Sequence, residues 1–242
     1  MSSATGRATM VDPSAPGFWP KLFELLLEAT WQTLFVVIGT MIFTGMFGLL
    51  MGIALVATEK GGVLEAPFGS RALGKVINGF LAISINIGRS IPFIILMVAL
   101  IPFTRFLLGS AFEVHSAIVP LTIAAIPFYA RIVEISLKEV PPGLIEAGES
   151  LGATRWQLIS RFMLPEAIPG LLRGYTTTAV SVIGYSAIVG VIGAGGLGDV
   201  ALRYGHQRYS VIHIIGTVVI LVAIVQVFQA VGGWLANRLD HR

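Results

Sequence analysis

Cysteine is absent from the 242 residues, which excludes disulfides and thiolate-held metals and leaves the redox compartment unmarked. Charge is scarce as well. Only 12% of the residues are Asp, Glu, Lys or Arg, against about a quarter in an ordinary soluble domain, so a charged, water-facing shell is excluded. The net charge of +3 is small and follows from where the basic residues sit in the loops, so no nucleic-acid partner is expected. The sequence has no GxxxxGK[ST] phosphate cradle, no nucleophile elbow and no HExxH helix. The histidines at 115, 206, 213 and 241 have no ligand spacing with carboxylates. Neither catalytic residues nor a metal site is expected, and the chain reads as something other than an enzyme.

What is present is apolar. Hydrophobic residues make up 55% of the chain and the mean hydropathy is +0.85. At about twenty residues per crossing, roughly five spans fit once the loops are subtracted. The expected fold is an all-α polytopic membrane protein in the lipid bilayer, with a loose tail over 1–22 and one membrane domain over 23–242. Spans are expected near Thr33–Val56, Val76–Phe103, Ser116–Leu137, Leu171–Val191 and Val211–Trp234. In the first, Gly45, Gly48 and Gly52 recur on one face, where the absent Cβ lets a neighbouring backbone come close.

Between the third and fourth spans lies a polar stretch, Pro141 to Pro165. Pro141 and Pro142 suit a helix start and Gly152 a left-handed stop. Thr154 followed by Gln157 fits a capping box that opens a second short helix, and Pro165 is expected to end it. Leu144, Gly148 and Leu151 share one stripe, and Trp156, Ile159 and Met163 another, while Glu146 and Glu149 point elsewhere. Two such amphipathic helices suit a groove on another protein or the bilayer surface, and the pattern alone does not choose between them.

Glu146, Ala147, Gly148, Gly152, Leu164 and Pro165 resemble the EAA loop of ABC importer permeases, the segment that docks into an ATPase subunit. Gly148 stands where the second alanine is usual, and Phe162 where an isoleucine is. The stretches GRSIPFIILMVALIPFTR, IVPLTIAAIPFYARIVE and GYSAIVGVIGAGGLGDVALRYG resemble bacterial methionine-import permeases, and the similarity covers nearly everything after about Trp31. It implies a homodimer whose pore works by alternating access and two ABC ATPase subunits that bind ATP and Mg. It further implies an extracytoplasmic solute-binding protein and methionine as the small-molecule substrate, in the bacterial inner membrane.

Arg89 interrupts the second apolar run beside Asn86 and Pro92. A guanidinium at membrane depth is costly unless paired or hydrated. Arg89 reads either as a residue lining a path, placed against Glu134, or as a structural or snorkelling arginine. Thr178, Ser181 and Tyr185 share a face of the fourth span and read either as path-lining or as packing hydroxyls. GAGGLG at 193–198 satisfies GxGxxG, but a membrane span precedes it where a dinucleotide site needs a strand, so a flexible turn or a re-entrant bend on the outer side is expected. The polar and aromatic residues from Asp199 to Tyr209 read as an outer loop able to meet a binding protein. His213 reads as a packed residue.

Across five spans the side holding Pro141–Pro165 carries Lys60, Arg71, Lys75, Arg131, Lys138, Arg155, Arg161, Arg173, Arg238 and Arg242. The other side carries Arg7, Lys21, Arg105, Arg203 and Arg208. Ten against five makes the first side cytoplasmic, with the N-terminus outside and the C-terminus inside. The rival functions are a related permease for another small amino acid or organic solute, an ion-coupled secondary transporter, and a membrane scaffold.

Overall fold

Proline and glycine set the breaks in an otherwise helical chain. The computed structural model describes residues 11–240 except 63, 67 and 68. Residues 1–10 of the expected tail, with Arg7, and likewise His241 and Arg242, lie outside the described residues. Among the described residues there is no strand. The helices are α1 (Phe18–Ala57), α2 (Arg71–Ser90), α3 (Phe93–Leu108), α4 (Ile118–Lys138), α5 (Pro142–Ser150), α6 (Arg155–Ala194), α7 (Gly196–Val200) and α8 (Val211–Arg238). Four helices are long and apolar enough to cross a membrane: α1, α6, α8, and α4 together with its leading turn from Val114. The bent pair α2–α3 makes a fifth span if it counts as one.

α1 begins earlier than hydropathy indicates, at Phe18 rather than near Thr33, and so takes in residues assigned to the tail. Pro20 is no obstacle, because in a first turn its missing N–H costs nothing. The 40 residues of α1 extend about 60 Å, twice a hydrocarbon core of about 30 Å, so one end of the helix stands clear of the lipid. Ser70 caps α2 by accepting the Leu73 N–H. Its far end is set by Pro92, which pushes the residue before it out of the helical region; Ile91 is extended at φ −84° and ψ 123°. The apolar run that Arg89 interrupts is therefore broken at Pro92.

The chain forms two compact units. One gathers the described residues up to Thr40 with Phe93–Leu121 and Val180–Val227. In it, Phe18 is 1% exposed and meets His213 edge-on at 5.9 Å between ring centroids. His213 stacks on Tyr204 at 5.1 Å and lies 2.7 Å from the Ser210 hydroxyl, so it is a packed residue as expected. The GAGGLG turn has left-handed glycines at 193, 195 and 196. It is pinned to α1: the Gly196 and Leu197 N–H groups donate to the Gln32 and Thr33 side chains at 2.8 and 3.0 Å. The stretch after it is mostly helical rather than an open loop, with Arg203 paired to Asp199 at 2.8 Å and Arg208 over the Tyr204 ring.

The other unit gathers Met41–Pro92, Thr122–Ala179 and the described residues from Phe228 on. Its core contains Ala57 of α1, Tyr129, Val133 and Leu137 of α4, and Ile159, Met163, Ala167 and Leu171 of α6. The glycine face of α1 is a packing face. A Cβ on Gly48 would fall 2.9 Å from Tyr129, and one on Gly52 2.5 Å from the Val133 Cβ and 2.7 Å from the Ala130 carbonyl.

Close-packed interiors resist added volume, so Gly52→Ala is expected to destabilise the chain by about 1–3 kcal/mol. Gly233→Ala, with nothing within 4 Å of its added carbon, should leave stability level or raise it. Thermal unfolding of the two purified variants in detergent checks the contrast.

Candidate functional site

The Pro141–Pro165 segment follows its sequence cues closely up to its last residue. Pro141 stands at the N-cap of α5 and Pro142 inside its first turn. Gly152 takes φ +74°, the left-handed geometry that closes the helix. The Thr154 hydroxyl then accepts the Gln157 N–H while the Gln157 side chain accepts the Thr154 N–H at 2.8 Å, which completes the capping box.

Pro165 does not end the second helix. α6 runs through it because Leu158–Met163 is π-helical, with the Leu164 N–H bonded to the Ile159 carbonyl. The wider turn ahead of the ring supplies the local adjustment a proline needs inside a helix. The loop's second arm, from Arg155, thus runs without a break into the fourth span, Leu164–Val189.

The two stripes divide between the protein and its surroundings. Gly148 is buried; a Cβ there would fall 2.7 Å from Leu158, which is how a glycine comes to occupy the crowded point. Ile159 and Met163 enter the core, with Leu144 and Leu164 packed against it. Leu151 and Trp156 do not: they are 81% and 70% exposed. Glu146, Ala147, Gly152 and Pro165 are exposed too, and the Glu146 and Glu149 carboxylates have no partner among the described residues. The segment therefore offers a mixed surface, with Glu146, Glu149, Arg155 and Arg161 exposed along with apolar Leu151 and Trp156, backed by a packed core.

Beside it opens a cavity of about 400 Å³ that the sequence did not reveal. Glu59, Lys138, Glu149 and Arg155 contribute its polar lining and Ile145, Leu158 and Met163 part of its apolar wall. Lys138 joins Glu59 at 2.8 Å and Glu134 at 3.0 Å, tying the loop after α1 to α4.

Arg89 does not meet Glu134. The Glu134 carboxylate, 6% exposed, is taken within α4 by Arg131 at 2.6 Å and by Lys138. The i−3 and i+4 spacing puts both partners on its own helix face, and that spacing was the signal available in the sequence. Arg89 is exposed and forms no hydrogen bond or ion pair among the described residues. Thr178, fully buried in the second unit, donates to the Gly174 carbonyl of its own helix at 2.8 Å. Ser181 and Tyr185 belong to the first unit, where Tyr185 stacks on Phe93 at 4.6 Å.

A family model described as the inner-membrane component of binding-protein-dependent transport systems matches residues 61–242. The chain belongs to that family. It is therefore a membrane component of a transport system in the inner membrane, not an enzyme. It is 48% identical over 219 residues to a probable D-methionine transport system permease protein of Vibrio cholerae, covering 90% of this chain and 94% of that one. With the methionine import system permease protein of Bacillus subtilis it shares 43% over 175 residues, 72% of this chain and 78% of that one. Among solved structures, the MetNI methionine ABC transporter in inward-facing conformations superimposes with a TM-score of 0.83 at 38% identity, over 94% of this chain and all of that chain.

A capping hydroxyl is worth about 1 kcal/mol, so Thr154→Ala is expected to let the turn before α6 open several-fold more often. Limited trypsin digestion should then cut after Arg155 several-fold faster than in the parent chain, with the other sites unchanged.

Proposed function

We propose that this chain is the permease subunit of an ATP-driven importer that carries methionine across the inner membrane by alternating access. Two copies form the path, and each presents its Pro141–Pro165 segment to one ATPase subunit, which binds ATP and Mg. An extracytoplasmic binding protein delivers the solute. The exposed carboxylate of Glu146 carries this reading. It is exposed on α5, a short helix whose buried Gly148 packs against Leu158 of its own unit. Exposed charged and apolar side chains together on a well-packed mount suit a groove on a partner protein. The methionine assignment draws on the relatives named above. A single chain of about five spans has little interior of its own, and a symmetric pair with the path on its axis supplies one.

Reversing the charge at the docking face opposes association. Glu146→Lys is therefore expected to abolish ATP-dependent methionine uptake into proteoliposomes holding the chain, its ATPase and its binding protein, while leaving the purified chain folded. Wild-type uptake and ATPase association in that variant would refute the docking role. Uptake failing in the parent, with ATPase still stimulated by the binding protein, would keep the machine and replace the solute.

The basic-residue count places the N-terminus outside and the C-terminus in the cytoplasm. The cysteine-free chain suits a direct test. Ser14→Cys should react with an impermeant maleimide in right-side-out vesicles, and Asn237→Cys only in inverted ones.

A further inference from the structure

We propose that the broken end of α2 holds the charged head group of the transported amino acid, with Arg89 and Asn86 binding its carboxylate. The proposal rests on the importer reading above and concerns a part of the chain remote in sequence from the coupling loop.

Three faces divide α2. Gly74, Ile85 and Gly88 turn inward; Ile85 is buried and a Cβ on Gly88 would meet Pro127 of α4 at 2.6 Å. Val76, Phe80, Ile83 and Ile87 recur at helical spacing and are exposed, as a lipid-facing stripe should be. Between these faces runs a strip of Lys75, Gly79, Ala82, Asn86 and Arg89, small or polar throughout. A Cβ on Gly79 would find nothing within 4 Å, and neither the Asn86 amide nor the Arg89 guanidinium has a partner among the described residues.

Arg89 is the one charged side chain between Lys75 and Arg105. At membrane depth an arginine needs an anion or water. Among the described residues no carboxylate meets Arg89, and Glu134 of α4 is already held by Arg131 and Lys138. Arg89 therefore faces a hydrated path, and the missing anion arrives with the solute. A guanidinium and an amide one turn apart match a carboxylate, which accepts from both.

The same helix end supplies acceptors for an ammonium group. The helical partner of the Gly88 carbonyl would be the N–H of residue 92, which is a proline, and Ile91 leaves the helix extended. Carbonyls at such an end carry the negative pole of the helix, and interrupted helices bind solutes and cations in this way in other transporters. Adjacent donors and acceptors select the zwitterion common to α-amino acids rather than any side chain.

The test compares methionine uptake by the parent, Arg89→Gln, Arg89→Lys and Asn86→Ala in proteoliposomes with ATPase and binding protein, alongside thermal unfolding of each purified variant. Loss of a charged hydrogen-bond donor should lower the uptake rate of Arg89→Gln about tenfold or more. Arg89→Lys should recover part of the rate and Asn86→Ala should lose several-fold, all with unfolding temperatures and ATPase co-purification like the parent's. Uptake at the parent's rate in Arg89→Gln would overturn the assignment, as would a loss of uptake that merely tracks a lowered unfolding temperature. Failure of the parent to take up methionine would instead overturn the functional reading beneath it.

Discussion

The constraint on which the structure depends is that hydrocarbon offers no hydrogen-bond partners. Every polar group inside an apolar run must find one in the protein or face water, and this sorts the intramembrane residues. Thr178 bonds back to its own helix, Tyr175 donates to the Met41 carbonyl at 2.7 Å, and Glu134 is enclosed by Arg131 and Lys138. Satisfied in this way, they behave as packing. The buried hydroxyls of Thr40, Thr44, Thr104 and Thr122 find no partner among the described residues, and Asn86 and Arg89, exposed at a broken helix end, find none either.

The Pro141–Pro165 segment shows the opposite arrangement. It has exposed side chains on a packed base, and the π-helical turn at Leu158–Met163 carries the chain from the loop into the fourth span without a joint. The placement of Gly148 beneath Leu158 and Phe162 removes the remaining slack on the other arm.

Local chemistry was legible in the sequence, while outcomes set by packing were not. The start of α5, its glycine stop and the Thr154–Gln157 box each depend on a few neighbouring residues, and they lie where the spacing put them. Pro165 was misread because a π turn depends on Ile159 and Met163 reaching a core made by distant helices, which no local pattern encodes. Pro92 was legible as a disruption, but the size of the bend depends on what α2 packs against. The early start of α1 escaped because Phe18 is buried by His213 and Trp19, contacts that hydropathy does not see. Asn86 went unremarked as a partner for Arg89 because its meaning lies in the emptiness around it.

α4 ties these observations together inside the second unit. At its inner end Leu137 shares a core with Ile159 and Met163 of the coupling arm. In its middle Tyr129 and Val133 are fitted against Gly48 and Gly52 of α1, and nearer its start Pro127 is fitted against Gly88 at the end of α2. Each contact is too close to admit a methyl group, so none can slide without moving its neighbour. The glycines at 48, 52 and 88 are what let α1 and α2 approach α4 this closely, because a side chain at any of the three would meet Tyr129, Val133 or Pro127.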